Sequence, residues 1–270
     1  MAIIRELNIY PLKSGRAIAL DQARLGATGF EWDRHWMAAS PDGVFMSQRT
    51  QPRLALVEPE VAGDELTLRT AGQQPLRIPL HPAGPTQPAR VWKDSISALD
   101  QGDSAARWLS EAVGFAARLL RISPVLDRKA NAGFAGPTPA PVSFADGFPI
   151  LVCNAASLAH LNTRMPEPVP MERFRPNIVL EGLEPFEEDR ISELHFGAVT
   201  LRLVKPCTRC VITSTDQRTG QLSTNPLPVL RAFRFDKALM GVTFGENAVI
   251  AHGVGQVLNR GATCSVVHDA

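Results

Sequence analysis

Two cysteines in the second half of the chain have the residue type and spacing for sulfur chemistry. Cys207 and Cys210 form a Cys-x-x-Cys pair, with Lys205 shortly before it and Arg209 inside it. A cation beside a thiol stabilises the thiolate, which is the form that attacks electrophiles and binds metals. Sulfur ligands suit soft metal centres in general, so the pair does not identify a metal. This turn is therefore a candidate site for thiolate chemistry.

Other interpretations of the pair remain open. A four-cysteine zinc site needs a second pair, whereas Cys153 and Cys264 stand alone in the sequence. A thioredoxin-like dithiol lies where a strand meets a helix, whereas an apolar, β-branched run, residues 211–213, follows here. Two buried structural cysteines, or a single cysteine on a soft transition metal, are the remaining alternatives. Cys153 itself lies in an apolar run and is expected in the core.

A short turn near the start of the chain has the chemistry to hold a phosphate. Lys13 is followed by Ser14 and Gly15, and we expect this turn to be exposed. A basic side chain, a hydroxyl and a permissive backbone together suit an anion. The alternative is a solvated surface lysine.

Two arginines are further candidates for anion binding. Arg34 has the planar guanidinium that forks onto a carboxylate or phosphate, and a structural ion pair with Asp33 is its alternative. Arg175 precedes Pro176, which favours extended backbone and should make the side chain stand out from a strand edge. Its alternative partner is the acidic run at residues 184–189.

The elements that must position these residues are mostly short strands. Gly, Pro and Asp punctuate the candidates and favour an antiparallel barrel or sandwich over βαβ units. Pro206 lacks an N–H and is expected to end regular pairing before the cysteines. The predicted strands span residues 3–10, 17–25, 36–39, 54–61, 65–69, 76–78, 90–94, 150–153, 178–180, 199–203, 241–244, 248–252, 256–259 and 265–268.

Helices are predicted at three places. One starts with Asp103 as its N-cap and stops at Gly114, one is capped by Asn154, and one spans residues 226–234 with Asn225 as its cap. Residues 123–149 are rich in Pro, Gly and Ala, which predicts a long connector. We place the domain boundary near residue 122.

Composition excludes several classes of protein. The 270 residues carry 28 basic and 27 acidic side chains, a net charge of +1 that gives no sign of a nucleic-acid partner. Four cysteines in a chain of this length do not suggest a secreted disulfide scaffold. Neither a signal peptide nor a membrane-spanning apolar run is present, so a cytoplasmic location is expected.

Five sequence blocks, in this order, resemble the MOSC proteins that carry an N-terminal MOSC-associated barrel, the group that includes the mitochondrial amidoxime reducing component. The resemblance covers nearly the whole chain. The blocks are Tyr10-Pro-Leu-Lys-Ser14, Asp33-Arg-His-Trp36, Phe174-Arg-Pro-Asn177, Cys207-Thr-Arg-Cys210, and Thr215-Asp216 followed by Thr219-Gly220. It implies a mainly β (α+β) fold of two interdependent β-barrel-type domains with a few short helices: an N-terminal MOSC-associated domain at residues 1–122 and a MOSC domain at residues 123–270.

The resemblance also implies a molybdenum cofactor, in which a molybdopterin dithiolene and one cysteine thiolate hold the metal. The family ligand falls on Cys210, which leaves Cys207 as a neighbour, and Asp216 is expected to position substrate or relay protons. The contacts to the pterin phosphate fall on Lys13, Ser14, Arg34 and Arg175, and the segments around Thr208, Arg209 and residues 146–149 match cofactor-lining segments. The chain departs from the family at two places, with Gly147 and Phe148 where small hydroxyl residues are common, and with Arg218 where a second acid is common.

The activity that this resemblance implies is reduction of N-hydroxylated compounds, from N–OH to N–H. Some bacterial relatives carry a C-terminal ferredoxin domain, and this sequence ends at Ala270 without one. Electrons are therefore expected from a separate flavin or iron–sulfur protein. A non-catalytic carrier of the cofactor, a sulfur-transfer module with a persulfide on Cys207 or Cys210, and a ligand-binding protein without metal are the alternatives.

Overall fold

The computed structural model describes residues 1–81, 84–125 and 128–269. Its secondary structure is mostly strand, as the sequence predicts, with a few short helices. The strands of the first half are β1 (Ala2–Ile9), β2 (Leu12–Lys13), β3 (Ile18–Leu20), β4 (Gln22–Gly26), β5 (Gly29–Phe30), β6 (Trp36–Ala39), β7 (Glu58–Ala62), β8 (Glu65–Arg69), β9 (Leu76–Pro79), β10 (Thr86–Val91), β11 (Asp94–Asp100) and β12 (Arg118–Ile122).

The second half adds strands and three of the four α-helices found in the described residues. Its strands are β13 (Ile150–Asn154), β14 (Ile178–Glu181), β15 (Ile191–Phe196), β16 (Val199–Thr208), β17 (Phe235–Asp236), β18 (Gly241–His252), β19 (Val257–Asn259) and β20 (Thr263–His268). The helices are α1 (Gly102–Val113), α2 (Ala132–Ala135), α3 (Ala155–Asn162) and α4 (Leu227–Arg234), with 3-10 helices at Pro52–Leu56, Met171–Arg173, Glu187–Arg190 and Val211–Ser214.

A closed barrel forms most of the largest of the four sheets found in the described residues. Its strands follow the order β13-β14-β1-β20-β15-β16-β18, and pairing of β18 with β13 closes the circle. Closure removes the exposed strand edges that an open sheet would present. The barrel encloses a core of buried aliphatic side chains that includes Ile4, Ile178, Leu201 and Ile250.

The first strand of the chain belongs to the barrel that the second half builds. β1 pairs antiparallel with both β14 and β20, so that Ile4 faces Leu180 and Ala2 faces Cys264. The two halves are therefore interdependent, as predicted. The boundary near residue 122 stays a prediction, since β1 lies on one side of it in sequence and pairs with strands on the other side.

An irregularity in β1 explains why Arg5 breaks the apolar alternation. The register with β14 shifts between Ile4 and Glu6, which is a β-bulge. The bulge places Ile4 in the core and leaves Ile3 only half-buried. The regular alternation of buried and exposed side chains along β1 is therefore interrupted at the bulge.

The remaining strands of the first half form a five-stranded sheet, a three-stranded sheet (β7-β8-β9) and, together with β19, a second three-stranded sheet (β19-β4-β5), while β3 pairs with β1. The order in the larger one is β10-β11-β12-β6-β2, with β2 parallel to β6, and helix α1 covers it. Leu109 and Val113 of α1 pack into the same core as Trp36 and Leu119. Burial of a leucine of this kind contributes roughly 1.5–3 kcal/mol.

Several local predictions need correction. Gln101, not Asp103, occupies the N-cap of α1, although Gly114 does end that helix in a left-handed conformation (φ 82°). Residues 54–61 divide into the end of a 3-10 helix and most of β7, because Pro52 favours a helical first turn. Residues 90–94, predicted as one strand, contain the end of β10, a turn at residues 92–93 and the first residue of β11.

The structure also corrects the expected end of β16. Pro206 does not terminate the strand, because two register shifts let β16 continue past it to Thr208 against β18. A bulge accommodates the missing proline donor. In the long connector at residues 123–149, α2 is the one regular element among the described residues. None of the described helices is long and apolar enough to cross a membrane.

Candidate active site

One cavity collects most of the predicted site residues from both halves of the chain. It is open to solvent and has a volume of about 820 Å³. We call it the basic cavity, because its lining contains five cations and a single carboxylate, that of Asp146. The cations are Lys13, Arg34, Arg49, Arg175 and Arg209, and Ser14, Thr208, Cys207 and Cys210 also line it.

Tyr10 holds two of these arginines at fixed positions. The guanidinium carbons of Arg34 and Arg175 each lie 4.2 Å from the centre of its ring. The ring is buried, and its hydroxyl donates to the carbonyl of Pro176 at 3.1 Å. Stacking on an aromatic face orients a guanidinium and leaves its edge free for an anion. Burial lowers the pKa of Arg175 to about 10, so it remains a cation at neutral pH.

Further hydrogen bonds link the arginines across the domains. Arg175 Nη1 donates to the carbonyl of Gly15 at 2.8 Å, and Arg34 Nη2 donates to the carbonyl of Arg175 at 3.2 Å. Arg34 also pairs with the buried carboxylate of Asp33 at 2.5 Å. The structural pair considered for Arg34 is therefore formed, and Arg34 lines the cavity as well. No described acid of the run at 184–189 pairs with Arg175.

The backbone at three of the predicted phosphate contacts is left-handed. The φ angles are 67° at Ser14, 52° at Arg34 and 57° at Arg175. The expectation of extended backbone at Arg175 is wrong: the preference imposed by Pro176 is overridden here by the surrounding contacts. Left-handed backbone is strained in residues other than glycine, and such strain concentrates at binding and catalytic sites.

Lys13 is buried, which corrects the expectation of an exposed turn. Its side chain is 6% exposed and forms an ion pair with Asp146, and its amine also donates to the carbonyl of Phe144 at 2.8 Å. Burial lowers the pKa of Lys13, and the negative charge of Asp146 opposes that shift. Desolvation raises the pKa of Asp146, but Lys13 and Arg49 outweigh it and hold that pKa well below the ordinary range.

The loop that carries Asp146 is anchored on both sides. Behind it, the buried Arg128 donates to the carbonyls of Ser143, at 3.0 Å, and Asp146, at 2.8 Å. At the rim, the indole of Trp92 donates to Asp146 at 3.3 Å, and the guanidinium of Arg49 stacks on that indole at 4.5 Å. Sequence reasoning missed Arg49, Trp92 and Arg128, because nothing in their local pattern distinguishes them from other surface residues.

The two cysteines of the turn have different surroundings. Arg209 Nη1 donates to the sulfur of Cys207 at 2.9 Å. Both cysteines are half-buried and unpaired, and no hydrogen bond to the Cys210 sulfur is formed by the described residues. Cys153 is fully buried, as predicted.

The cysteine turn is held in place by backbone contacts. The amide of Arg209 donates to Val242 at 2.7 Å, and the carbonyl of Cys210 accepts from the amide of Thr213 at 3.1 Å in the 3-10 helix that follows. This helix replaces the β-branched strand-like run suggested by residues 211–213. The Cys210 side chain is therefore presented to the cavity from the point where β16 ends and the helix begins.

Asp216 is not among the residues that line the basic cavity. Its carboxylate accepts from the amides of Arg218, at 2.8 Å, and Thr219, at 3.0 Å, and pairs with the buried Arg173 at 3.3 Å. These bonds to backbone amides lower its pKa. They give Asp216 a part in shaping the turn, and its predicted catalytic role stays a prediction.

The donor set of the cavity defines what it can bind. Among the described residues no group of three or more His, Cys, Asp or Glu side chains is placed to hold a metal ion. A metal here would take a sulfur ligand from the cysteine turn and its other ligands from a bound molecule. The excess of cations suits a molecule that carries a phosphate.

Two family models match successive parts of the chain. Residues 1–116 match the MOSC N-terminal beta barrel domain, and residues 139–263 match the MOSC domain.

Three curated relatives align with most of the chain. Mitochondrial amidoxime-reducing component 1 of Mus musculus is 33% identical over 88% of this chain and 74% of its own length. Mitochondrial amidoxime reducing component 2 of Bos taurus is 34% identical over 86% of this chain and 72% of its own length. Molybdenum cofactor sulfurase of Danio rerio is 31% identical over 88% of this chain but only 31% of its own length. The architecture, the convergence of four of the five sequence blocks on one cavity, and these matches together show that the chain belongs to the MOSC family that includes the amidoxime-reducing components.

Proposed function

We propose that this protein is a molybdenum-cofactor-dependent oxidoreductase that reduces N-hydroxylated compounds. The balanced reaction takes the N–OH group, two electrons and two protons to N–H and water. One observation supports it most directly: residues more than 150 positions apart, such as Lys13 and Arg175, line one cavity together with Cys210. The two amidoxime-reducing relatives align with 88% and 86% of the chain.

The residues present fit the cofactor. Its phosphate is an anion, and the cavity has five cations against one carboxylate. Arg49 lines the cavity with a buried Nη1 that has no hydrogen-bond partner, and a bound anion would satisfy it. The soft metal needs a thiolate, and Cys210 lines the same space.

Each residue then has a role toward the cofactor. Lys13, Ser14, Arg34 and Arg175 would hold the phosphate, with the two arginines kept in place by Tyr10. The backbone of Thr208 and Arg209 would line the pterin, and Cys210 would be the protein ligand of molybdenum. When bound, the cofactor would supply the two-electron redox chemistry.

The chain contributes orientation and enclosure. Part of the cavity wall is apolar and is formed by Phe148, Leu151 and Ile212. This wall would exclude water near the reacting bond. Asp146, which pairs with Lys13, is the one acid among the described residues that line the cavity, whereas Asp216 would act from outside the lining.

The electron donor and the cellular location complete the proposed function. We propose that a separate flavin or iron–sulfur protein supplies the electrons, and that the protein works in the cytoplasm. The near-neutral net charge favours a small molecule as substrate over a nucleic acid.

The decisive experiment compares the two cysteines. Both line the cavity and both are half-buried, so Cys207→Ala is a matched control for Cys210→Ala. After expression in a host that makes the cofactor, molybdenum is measured by elemental analysis, and reduction of an aryl amidoxime is measured with a chemically reduced dye. We expect wild type and Cys207→Ala to reduce the amidoxime and Cys210→Ala to be at least 100-fold slower, about 2.7 kcal/mol of barrier. Unchanged activity of cofactor-loaded Cys210→Ala would remove this thiolate from the mechanism.

A sulfur-transfer function is the second candidate, favoured by one observation. Arg209 donates to the Cys207 sulfur at 2.9 Å, and this sulfur lines the basic cavity, so a persulfide on Cys207 would face the cavity. Mass spectrometry of the freshly purified protein separates the two functions, because a persulfide on Cys207 without tightly bound molybdenum would favour transfer.

A further inference from the structure

A second cleft lies on the other side of the segment that carries Arg34. It is lined by Thr28, Phe30, His35, His81, Arg121 and Ile122, among others, and has a volume of about 980 Å³ open to solvent. We call it the Arg121 cleft. None of the described residues that line it also lines the basic cavity.

Arg121 is a buried cation in this cleft. Arg121 is only 9% exposed, and the Nε of its guanidinium is buried without a hydrogen-bond partner. No acid of the described part of the chain lies within ion-pair distance of it, whereas Arg118 on the same strand pairs with Asp100. The nearest aromatic contact is the ring of Trp36, at 5.6 Å. Buried charges are usually paired in proteins, and an anion in the cleft would pair with this one.

His35 provides a second unsatisfied group in the same cleft. Its Nδ1 is buried without a partner, and the ring packs against Trp32 at 5.5 Å. Burial and the nearby charge of Arg121 lower the pKa of His35 to about 4, so the ring is neutral at physiological pH. A neutral imidazole donates or accepts one further hydrogen bond.

Much of the remaining wall is apolar and aromatic, and the exposed Glu31, which pairs with Arg24 at 3.8 Å, lies at the cleft together with the hydroxyls of Thr28 and Ser123. Phe30 and Ile122 are buried there, and the ring of His81 packs on Trp32 at 5.4 Å. A bare inorganic anion would leave this surface in contact with water, whereas an organic anion would cover it. A buried cation beside an apolar wall, with few polar groups, is the usual layout of a small-molecule site.

We propose that the Arg121 cleft binds a small carboxylate with an apolar body, with Arg121 as its counter-ion and His35 as a hydrogen-bond partner. This site is independent of the cofactor. The backbone connects the two sites, because His35 of the cleft directly follows Arg34 of the basic cavity. The carbonyl of His35 accepts from the amide of Ile122 at 2.8 Å.

Benzoate and benzamide are suitable probes, since they have the same shape and differ in charge. Isothermal titration of the full chain should show saturable benzoate binding at least tenfold tighter than benzamide binding. Saturating inorganic phosphate, which competes for the basic cavity, should leave benzoate affinity unchanged. Equal binding of the two probes, or displacement of benzoate by phosphate, would overturn the proposal without any variant.

Variants then place the binding at Arg121. Arg121→Met keeps the length of the side chain and should weaken benzoate binding at least tenfold, whereas Arg107→Met, at an exposed arginine of α1, should not change it. Asp127 lies outside the described residues and is only six positions from Arg121 in sequence. The Asp127→Asn variant therefore tests whether the carboxylate of Asp127 already pairs with Arg121. Tighter benzoate binding in Asp127→Asn, or unchanged binding in Arg121→Met, would contradict a vacant cationic site.

Discussion

Replacing Asp146 with Asn tests how the basic cavity balances its charge before an anion enters. The variant leaves Lys13, whose side chain is 6% exposed, without the carboxylate that now pairs with it. Breaking a fully buried ion pair costs about 3–5 kcal/mol, and breaking an exposed one about 0–1 kcal/mol. Asp146 is 57% exposed, so we expect an intermediate loss, about 1–3 kcal/mol of unfolding free energy. Because burial already lowers the pKa of Lys13, the amine can release its proton in the variant, which limits the loss.

The same change should improve anion binding. With Asp146 neutral, the cavity presents its five cations with no opposing carboxylate, and inorganic phosphate should bind about tenfold more tightly, which is about 1.4 kcal/mol. Urea unfolding with and without phosphate measures both effects in one experiment. Asp146→Asn in a Lys13→Met background completes a double-mutant cycle and isolates the pair. Unchanged stability together with unchanged phosphate affinity would refute the idea that this carboxylate competes with the anion.

Two further changes test groups in the barrel and at its junction with the first half. Burial, with help from Asp189 and Glu188, raises the pKa of Glu246 to about 9, so the folded protein keeps a proton that the unfolded chain loses above about pH 4.5. Stability should therefore fall between about pH 5 and 9, by up to about 1.4 kcal/mol per pH unit, and urea titrations at several pH values should show a flatter profile for Glu246→Gln. Gly29 has φ 117°, and a Cβ there would meet the carbonyl oxygen of Pro149 at 2.4 Å. Gly29→Ala should lose about 2–4 kcal/mol of unfolding free energy, and a shift in melting temperature within error would contradict this contact.

Sequence patterns predicted the parts of the fold that depend on local chemistry. Gly114 ends α1, the side chain of Asn154 caps α3 through the amide of Ala156, and the mainly β architecture is confirmed. These features depend on neighbouring residues, so a short window of sequence contains the information.

Closure of the barrel could not be predicted in the same way. Pairing of β1 with β20 joins residues about 260 positions apart, and no local periodicity encodes such a contact. The family resemblance supplied the candidate residues of the basic cavity, and their gathering is a result of this long-range pairing.

The burial of individual side chains and the backbone conformation at the site also could not be predicted from the sequence. Lys13 and Ser14 follow a proline and precede a glycine, which is typical of an exposed turn, yet β6 and the loop at Asp146 cover them. Arg175 has left-handed backbone despite the proline after it, because its side chain is fixed by Tyr10 and Gly15. Tertiary contacts override local preference at both positions.

The pairing of β1 with β20 has a consequence for synthesis of the protein. A ribosome adds about 5–20 residues per second, so roughly 13–50 s pass between the synthesis of β1 and the synthesis of its partner β20. During that interval its apolar side chains and unpaired backbone edges need protection by a chaperone or by non-native contacts. Production at lower temperature, or with more abundant chaperones, should therefore raise the yield of folded protein more than a faster promoter does.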